Sequence, residues 1–214
     1  MEEILLINKP KGITSFDVIR ILRKKLGIKK MGHAGTLDPM ATGLMIIGVN
    51  KGTKKLNNFI KLDKVYEAEI LLGIKTETGD MEGKILNEVV IDNLDAIRVK
   101  VVIESIQGTL ILPVPRFSAI KIKGKRLYEM ARKEQSFEVP LRKMIVYSSE
   151  FIGLEKKDNH YIIKARFHVA SGTYIRSIAE EVGNLLNLPA TLFGLIRTKI
   201  GDYCIEDSVK LIKD

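Results

Sequence analysis

The chain has 214 residues, 45% of them hydrophobic, which is enough for one sizeable folded core. No run approaches the ~20 apolar residues of a membrane helix. The single cysteine, Cys204, excludes an intramolecular disulfide and argues against a thiolate metal site. With 35 Lys and Arg against 26 Asp and Glu the net charge is +9, a balance suited to polyanions, nucleic acid first. No tryptophan and 6% aromatic residues leave little for a broad base-stacking surface, so phosphate contacts and a few specific aromatics would have to suffice.

Residues 1–10 lack the basic-then-apolar order of a signal peptide and read as a first strand, so a cytoplasmic location is expected. A helix is predicted over 16–26, with Thr14 and Asp17 as a capping box, Val18, Ile19, Leu22 and Leu26 as the apolar stripe, and Gly27 as the stop. Between Lys9 and Lys30 stand Lys9, Lys11, Arg20, Arg23, Lys24, Lys25, Lys29 and Lys30, against Asp17 alone. Residues 65–72 alternate, with Tyr66, Ala68, Ile70 and Leu72 on the apolar face. A helix over 93–106 would turn Leu94, Ile97 and Val101 inward. Residues 113–143 are basic, poor in apolar residues and bracketed by Pro113, Pro115 and Pro140. They read as a projection with a Lys123-Gly124-Lys125 turn and a short helix from Arg126 to Lys133. Residues 161–169 alternate again, and a helix over 174–187, capped by Thr173, carries Ile175, Ile178, Ala179, Val182, Leu185 and Leu186. Strands with one wet face pair antiparallel for the most part. The expected fold is therefore α+β: a mixed, largely antiparallel sheet flanked by helices, in one domain spanning 1–214.

The chain holds no phosphate-binding glycine loop and no nucleophile elbow, and His33, His160 and His168 lack metal-ligand spacing. An enzyme built on it would work without metal or cofactor. Residues 32–43 read Gly-His-Ala-Gly-Thr-Leu-Asp-Pro-Met-Ala-Thr-Gly. Asp38 before Pro39 is either a turn-former, the common role of Asp-Pro, or a reactive carboxylate. Three glycines, two threonines and His33 are dense polar equipment for a simple turn. Arg176, in the first turn of the 174–187 helix, opposes the helix dipole and so answers to something local. A carboxylate is its natural partner, and a phosphate or solvent the alternative. Tyr66 reads first as a core tyrosine, with stacking on a base as the functional alternative.

At this point the residues resemble a known family. Residues 32–43 look like the catalytic motif of pseudouridine synthases of the TruB family, the tRNA pseudouridine-55 synthases of bacterial type. Lys9-Pro10-Lys11-Gly12-Ile13-Thr14-Ser15 resembles the family's opening motif, Lys64 to Ala68 its tyrosine strand and Thr76 to Gly83 its acidic turn. Phe117 to Lys121 with Gly124, Arg126, Leu127, Tyr128 and Glu129 resembles its RNA-gripping thumb. Tyr174-Ile175-Arg176-Ser177 resembles its arginine motif and Leu195 to Gly201 its last core strand.

The resemblance implies a pseudouridine synthase fold with an inserted thumb over about 113–143. It also implies isomerisation of a uridine in the tRNA T-arm loop without cofactor. By the same resemblance, Asp38 is the catalytic aspartate, Tyr66 stacks on the flipped base and Arg176 pairs with Asp38. His33 helps fill the vacated stack, and Tyr174 and Leu195 line the uracil pocket. Lys9, Lys64, Lys121, Lys123, Arg126 and Arg132 are expected to contact RNA. Ile196, Leu112 and Val114 depart from the family's common arginine, glutamine and proline. The chain ends soon after Gly201, so no PUA-type extension is expected. The expected partner is tRNA, with no membrane, no required protein partner and a monomeric state. The rival readings are a guide- or rRNA-directed synthase of the archaeal and eukaryotic branch, and a non-catalytic RNA-binding chaperone.

Overall fold

A computed structural model of the chain describes residues 3–122, 124–133 and 136–211. The fold is mixed α+β. Strand β1 (Ile4–Lys9) leads into helix α1 (Ser15–Leu26), strand β2 (Met31–His33), the Asp38 loop and strand β3 (Thr42–Val49). A 3-10 segment and the short helix α2 (Leu56–Ile60) precede β4 (Lys64–Leu72), β5 (Ile74–Thr76) and β6 (Ile85–Glu88). Helix α3 (Ala96–Ser105) and β7 (Gly108–Pro113) follow. A small ribbon of β8 (Lys121–Ile122) and β9 (Lys125–Arg126) leads into α4 (Leu127–Arg132). The long strands β10 (Leu141–Lys157) and β11 (His160–Val169), helix α5 (Ile175–Leu186), β12 (Ala190–Ile200), β13 (Tyr203–Cys204) and β14 (Val209–Lys210) complete the order.

The chain divides into two compact units: Met1–Glu67, His168–Ser171 and Gly194–Asp214 form one, Ala68–Phe167 and Gly172–Phe193 the other. Strands β4, β11 and β12 contribute residues to both. In the first unit the strands run β14-β1-β3-β12. β1 and β3 pair antiparallel, with Ile7 opposite Met45, while β3 and β12 pair parallel, with Gly43 opposite Arg197. β3 is buried along nearly its whole length, so both its faces are covered and its sequence shows no alternation. Ala34, Leu44, Ile46, Leu56 and Ile200 form a core cluster, with Leu6, Phe59, Leu62 and Tyr203 packed against it. Each fully buried aliphatic side chain contributes about 1.5–3 kcal/mol. Helix α1 begins as predicted. The Thr14 hydroxyl accepts from the Asp17 amide, the Asp17 carboxylate accepts from the Thr14 amide, and Gly27 closes the helix at φ 67°.

In the second unit β11, β10 and β7 follow one another, with β7 and β10 antiparallel. Helix α3 lies against β10, and α5 against β7 and α3. Two expectations are corrected here. Ile97 is 76% exposed and Val101 is exposed too, while Val99 and Ile103 face inward. The Ser149 hydroxyl ties that inward face down by donating to the Ile103 carbonyl (2.7 Å). Thr173 does not cap α5: Tyr174 is the residue at the cap, and the Thr173 hydroxyl donates to the Ile145 carbonyl at 3.3 Å.

Candidate active site

The Asp38 loop is held from three sides within the first unit. The Ser15 hydroxyl accepts from the Leu37 amide (2.8 Å) and donates to the Leu37 carbonyl (3.0 Å), which pins the residue before Asp38 to the start of α1. The Gly12 amide donates to the Pro39 carbonyl at 2.9 Å. The Lys9 ammonium donates to the same carbonyl (3.2 Å) and to those of Pro10 and Ile13 (3.0 and 2.8 Å). The Ala41 amide donates to the Asp38 carbonyl at 3.1 Å, so the backbone turns at Asp38 whatever its side chain does. Asp38 itself is half-buried.

Arg197 closes the base of the loop. Its guanidinium is 1% exposed and donates to the Leu44 carbonyl (2.8 Å) and the Gly35 carbonyl (3.3 Å), one on each side of Asp38 in the chain. Gly43 lies at φ 107°, and a Cβ there would fall onto the Arg197 backbone. Burial and then the Arg197 charge hold the His33 imidazole below its ordinary pKa, so it is neutral at physiological pH. Burial, reinforced by Arg197, pulls the Lys64 ammonium down to about 8.

These facts revise two of the expected RNA contacts. Lys9 is 0% exposed and Lys64 is buried, its ammonium bonded to the carbonyls of Ile60 (2.7 Å) and Leu62. Both lysines spend their donors on backbone carbonyls and fix the chain instead of reaching phosphates. Tyr66 and Leu195 are also buried in this unit, and His33 is half-buried at the end of β2. Arg197 and Ser15 were not expected as site builders. The signal for Arg197 was a cation in a largely apolar strand, where Arg197 and Lys199 are the two charges and the one that is buried must find acceptors.

In the second unit Arg176 is 5% exposed and donates to the carbonyls of Thr78 (3.0 Å) and Phe117 (3.2 Å), with the Asp80 carboxylate 3.7 Å away. Asp80 is organised in turn by the Thr78 hydroxyl (2.5 Å) and the Glu82 amide (3.1 Å). The acidic turn from Thr76 to Gly83 is thus an anchor for the guanidinium. Tyr174, half-buried, precedes α5. Lys121, Arg126 and Arg132 are exposed on the ribbon and α4, and the two arginines stand 5.8 and 5.6 Å from the Tyr128 ring centroid. Lys123 lies outside the described residues. Among the described residues no three His, Cys, Asp or Glu side chains gather as a metal site.

The fold is that of the pseudouridine synthases. A chain of a Cbf5-Nop10-Gar1 complex matches with a TM-score of 0.72 at 25% identity, covering 97% of this chain and 52% of that one. A chain of an H/ACA RNP bound to a substrate RNA containing 2'-deoxyuridine matches at 0.71 and 23%, covering 97% and 50%. The chain spans about half the length of these solved chains. It belongs to the TruB family of pseudouridylate synthases, whose N-terminal domain matches residues 23–175, and is accordingly an isomerase. It is 38% identical over 210 residues to tRNA pseudouridine synthase B of Endomicrobium trichonymphae, covering 98% of this chain and 90% of that protein. It is 42% identical over 211 residues to the protein of the same name from Clostridium tetani, covering 99% and 72%.

Proposed function

We propose that the chain converts uridine to pseudouridine at position 55 in the T-arm loop of tRNA, without a cofactor. The observation that carries this reading is the Asp38 loop, pinned by Ser15 and Lys9 and closed by Arg197. A loop so braced presents one carboxylate in a fixed place. The names of the relatives support tRNA as the substrate class.

In the reaction the bond between uracil nitrogen and the sugar breaks, the base rotates, and a ring carbon bonds to the sugar. That carbon's proton leaves and the freed nitrogen gains one, so product and substrate are isomers. Asp38 acts at the sugar, and Arg176 keeps it ionised. Tyr66 stacks on the uracil, and Tyr174 and Leu195 line its pocket. His33, neutral and therefore cheap to desolvate, fills the stack that the flipped base leaves. Lys121, Lys123, Arg126 and Arg132, in a thumb insertion over about 113–143, grip the phosphates. The protein acts in the cytoplasm as a monomer, without guide RNA or protein partner.

An unmodified tRNA transcript incubated with the protein alone is expected to gain pseudouridine in its T loop on nucleoside analysis. Asp38→Asn abolishes turnover while retaining tRNA binding. No pseudouridine in several correctly folded tRNAs would sink the reading and favour a guide-directed enzyme. Equal loss of turnover and binding in Asp38→Asn would make Asp38 structural.

A further inference from the structure

Phe16 is the feature that the site described above leaves unused. It is 55% exposed, in the first turn of a helix whose Val18, Ile19 and Leu22 are buried and whose Ile21 is half-buried, with Leu26 exposed only at the far end. Two guanidiniums attend the ring, Arg20 at 6.0 Å and Arg23 at 5.9 Å from its centroid. Neither is loose. Arg20 is paired with Asp17, and Arg23 donates to the Met31 carbonyl at 3.3 Å. Phe16, Arg20 and Lys24 follow at four-residue spacing and are all exposed, so they form one outward stripe. The stripe begins beside the catalytic loop, because Phe16 follows Ser15, which holds Leu37, the residue before Asp38.

An aromatic ring braced by cations and open to solvent suits a nucleobase with its phosphates, since the base stacks and the cations neutralise the backbone. The surrounding charge favours RNA over an apolar protein partner: from Lys9 to Lys30 the acids number only Asp17, itself bonded to Arg20 and Thr14. We infer that the Phe16–Arg20–Lys24 stripe of α1 is an RNA-contact surface on which Phe16 stacks against an unpaired base beside the target uridine. The inference rests on the reading of this protein as a tRNA-modifying enzyme, and adds to it a stacking residue outside the catalytic loop.

The test is equilibrium binding of a fluorescent T-arm stem-loop by the Asp38→Asn protein, alone and with Phe16→Ala, Phe16→Leu or Phe16→Trp added. Loss of one stacked base weakens binding about tenfold. Alanine and leucine are both expected to do this, while tryptophan holds the dissociation constant within about twofold. Neutralising Lys24 with Gln lowers the slope of log affinity against log salt by about one. Wild-type affinity in Phe16→Ala overturns the inference, as does wild-type affinity in Phe16→Leu, which would reduce the role to apolar bulk. Weakening by tryptophan as well also overturns it, and a lowered melting temperature of Phe16→Ala would assign the ring to folding. Because binding is read without turnover, failure of T-loop modification leaves this comparison intact.

Discussion

Arg197 carries a full charge where water does not reach, and its two acceptors are carbonyls on either side of Asp38. Its charge also weighs on His33. Arg197→Met therefore raises the His33 pKa toward the ordinary 6.5, because removing a nearby cation favours the imidazolium. Arg197→Lys keeps the depression while losing the forked reach, and an NMR titration of the His33 ring separates the two. Lys64 gives a stability signature. Between pH about 8 and 10.5 the unfolded chain keeps a proton that the folded chain has released, so stability rises with pH across that window. Below about 8 the cost of the buried charge is present in full. Urea unfolding at pH 7.5 and 10 should show wild type gaining on Lys64→Met as pH rises; a constant gap would mean Lys64 titrates normally. The sequence singles out Asp38 and Arg176 as candidates, one by its glycine-rich loop and the other by its place in the first turn of a helix, and Tyr66 by its motif's resemblance. The burial of Lys9 and Lys64 could not be read there, because counting charges says nothing of which ammonium finds backbone carbonyls, three for Lys9 and two for Lys64.

Helix α1 joins an ordinary folding device to the Asp38 loop. Its capping box is local chemistry and was legible as Thr14 and Asp17 three residues apart. Thr14→Ala should cost about 1 kcal/mol in thermal or denaturant unfolding. The Asp17 carboxyl, held at about 2 by the Thr14 hydroxyl and amide and then by Arg20, contributes stability at neutral pH that is lost only as pH falls through about 4 toward 2. The β3–β12 seam is less forgiving. Gly43→Ala sets a methyl group against the Arg197 backbone and should cost about 3 kcal/mol or more, with turnover lost together with the fold. Helix α3 shows where periodicity runs out. Ile97, Val99, Val101, Val102 and Ile103 place apolar side chains around most of the helix, so the pattern admits more than one inward face. Packing on β10 selects Val99 and Ile103.

Across the whole molecule, charge and shape were legible to different depths. The antiparallel bias followed from the alternation in β4 and β11, whereas the parallel β3–β12 pairing joins residues far apart in the chain and has no local signature. The net charge of +9 forecasts steep salt dependence. Replacing Lys121, Arg126 and Arg132 together by Gln should lower the salt slope of tRNA binding by about three, and an unchanged slope would remove them from the phosphate contacts. One consequence concerns synthesis. The hydrogen bond from Arg197 to Leu44 spans 153 positions and that to Gly35 spans 162. A chain growing on the ribosome exposes Asp38 early, yet the brace that fixes it arrives only after the residues up to Arg197 have been translated and have left the tunnel. Nascent fragments that stop short of Arg197 thus carry the Asp38 carboxylate in a loop that lacks this brace.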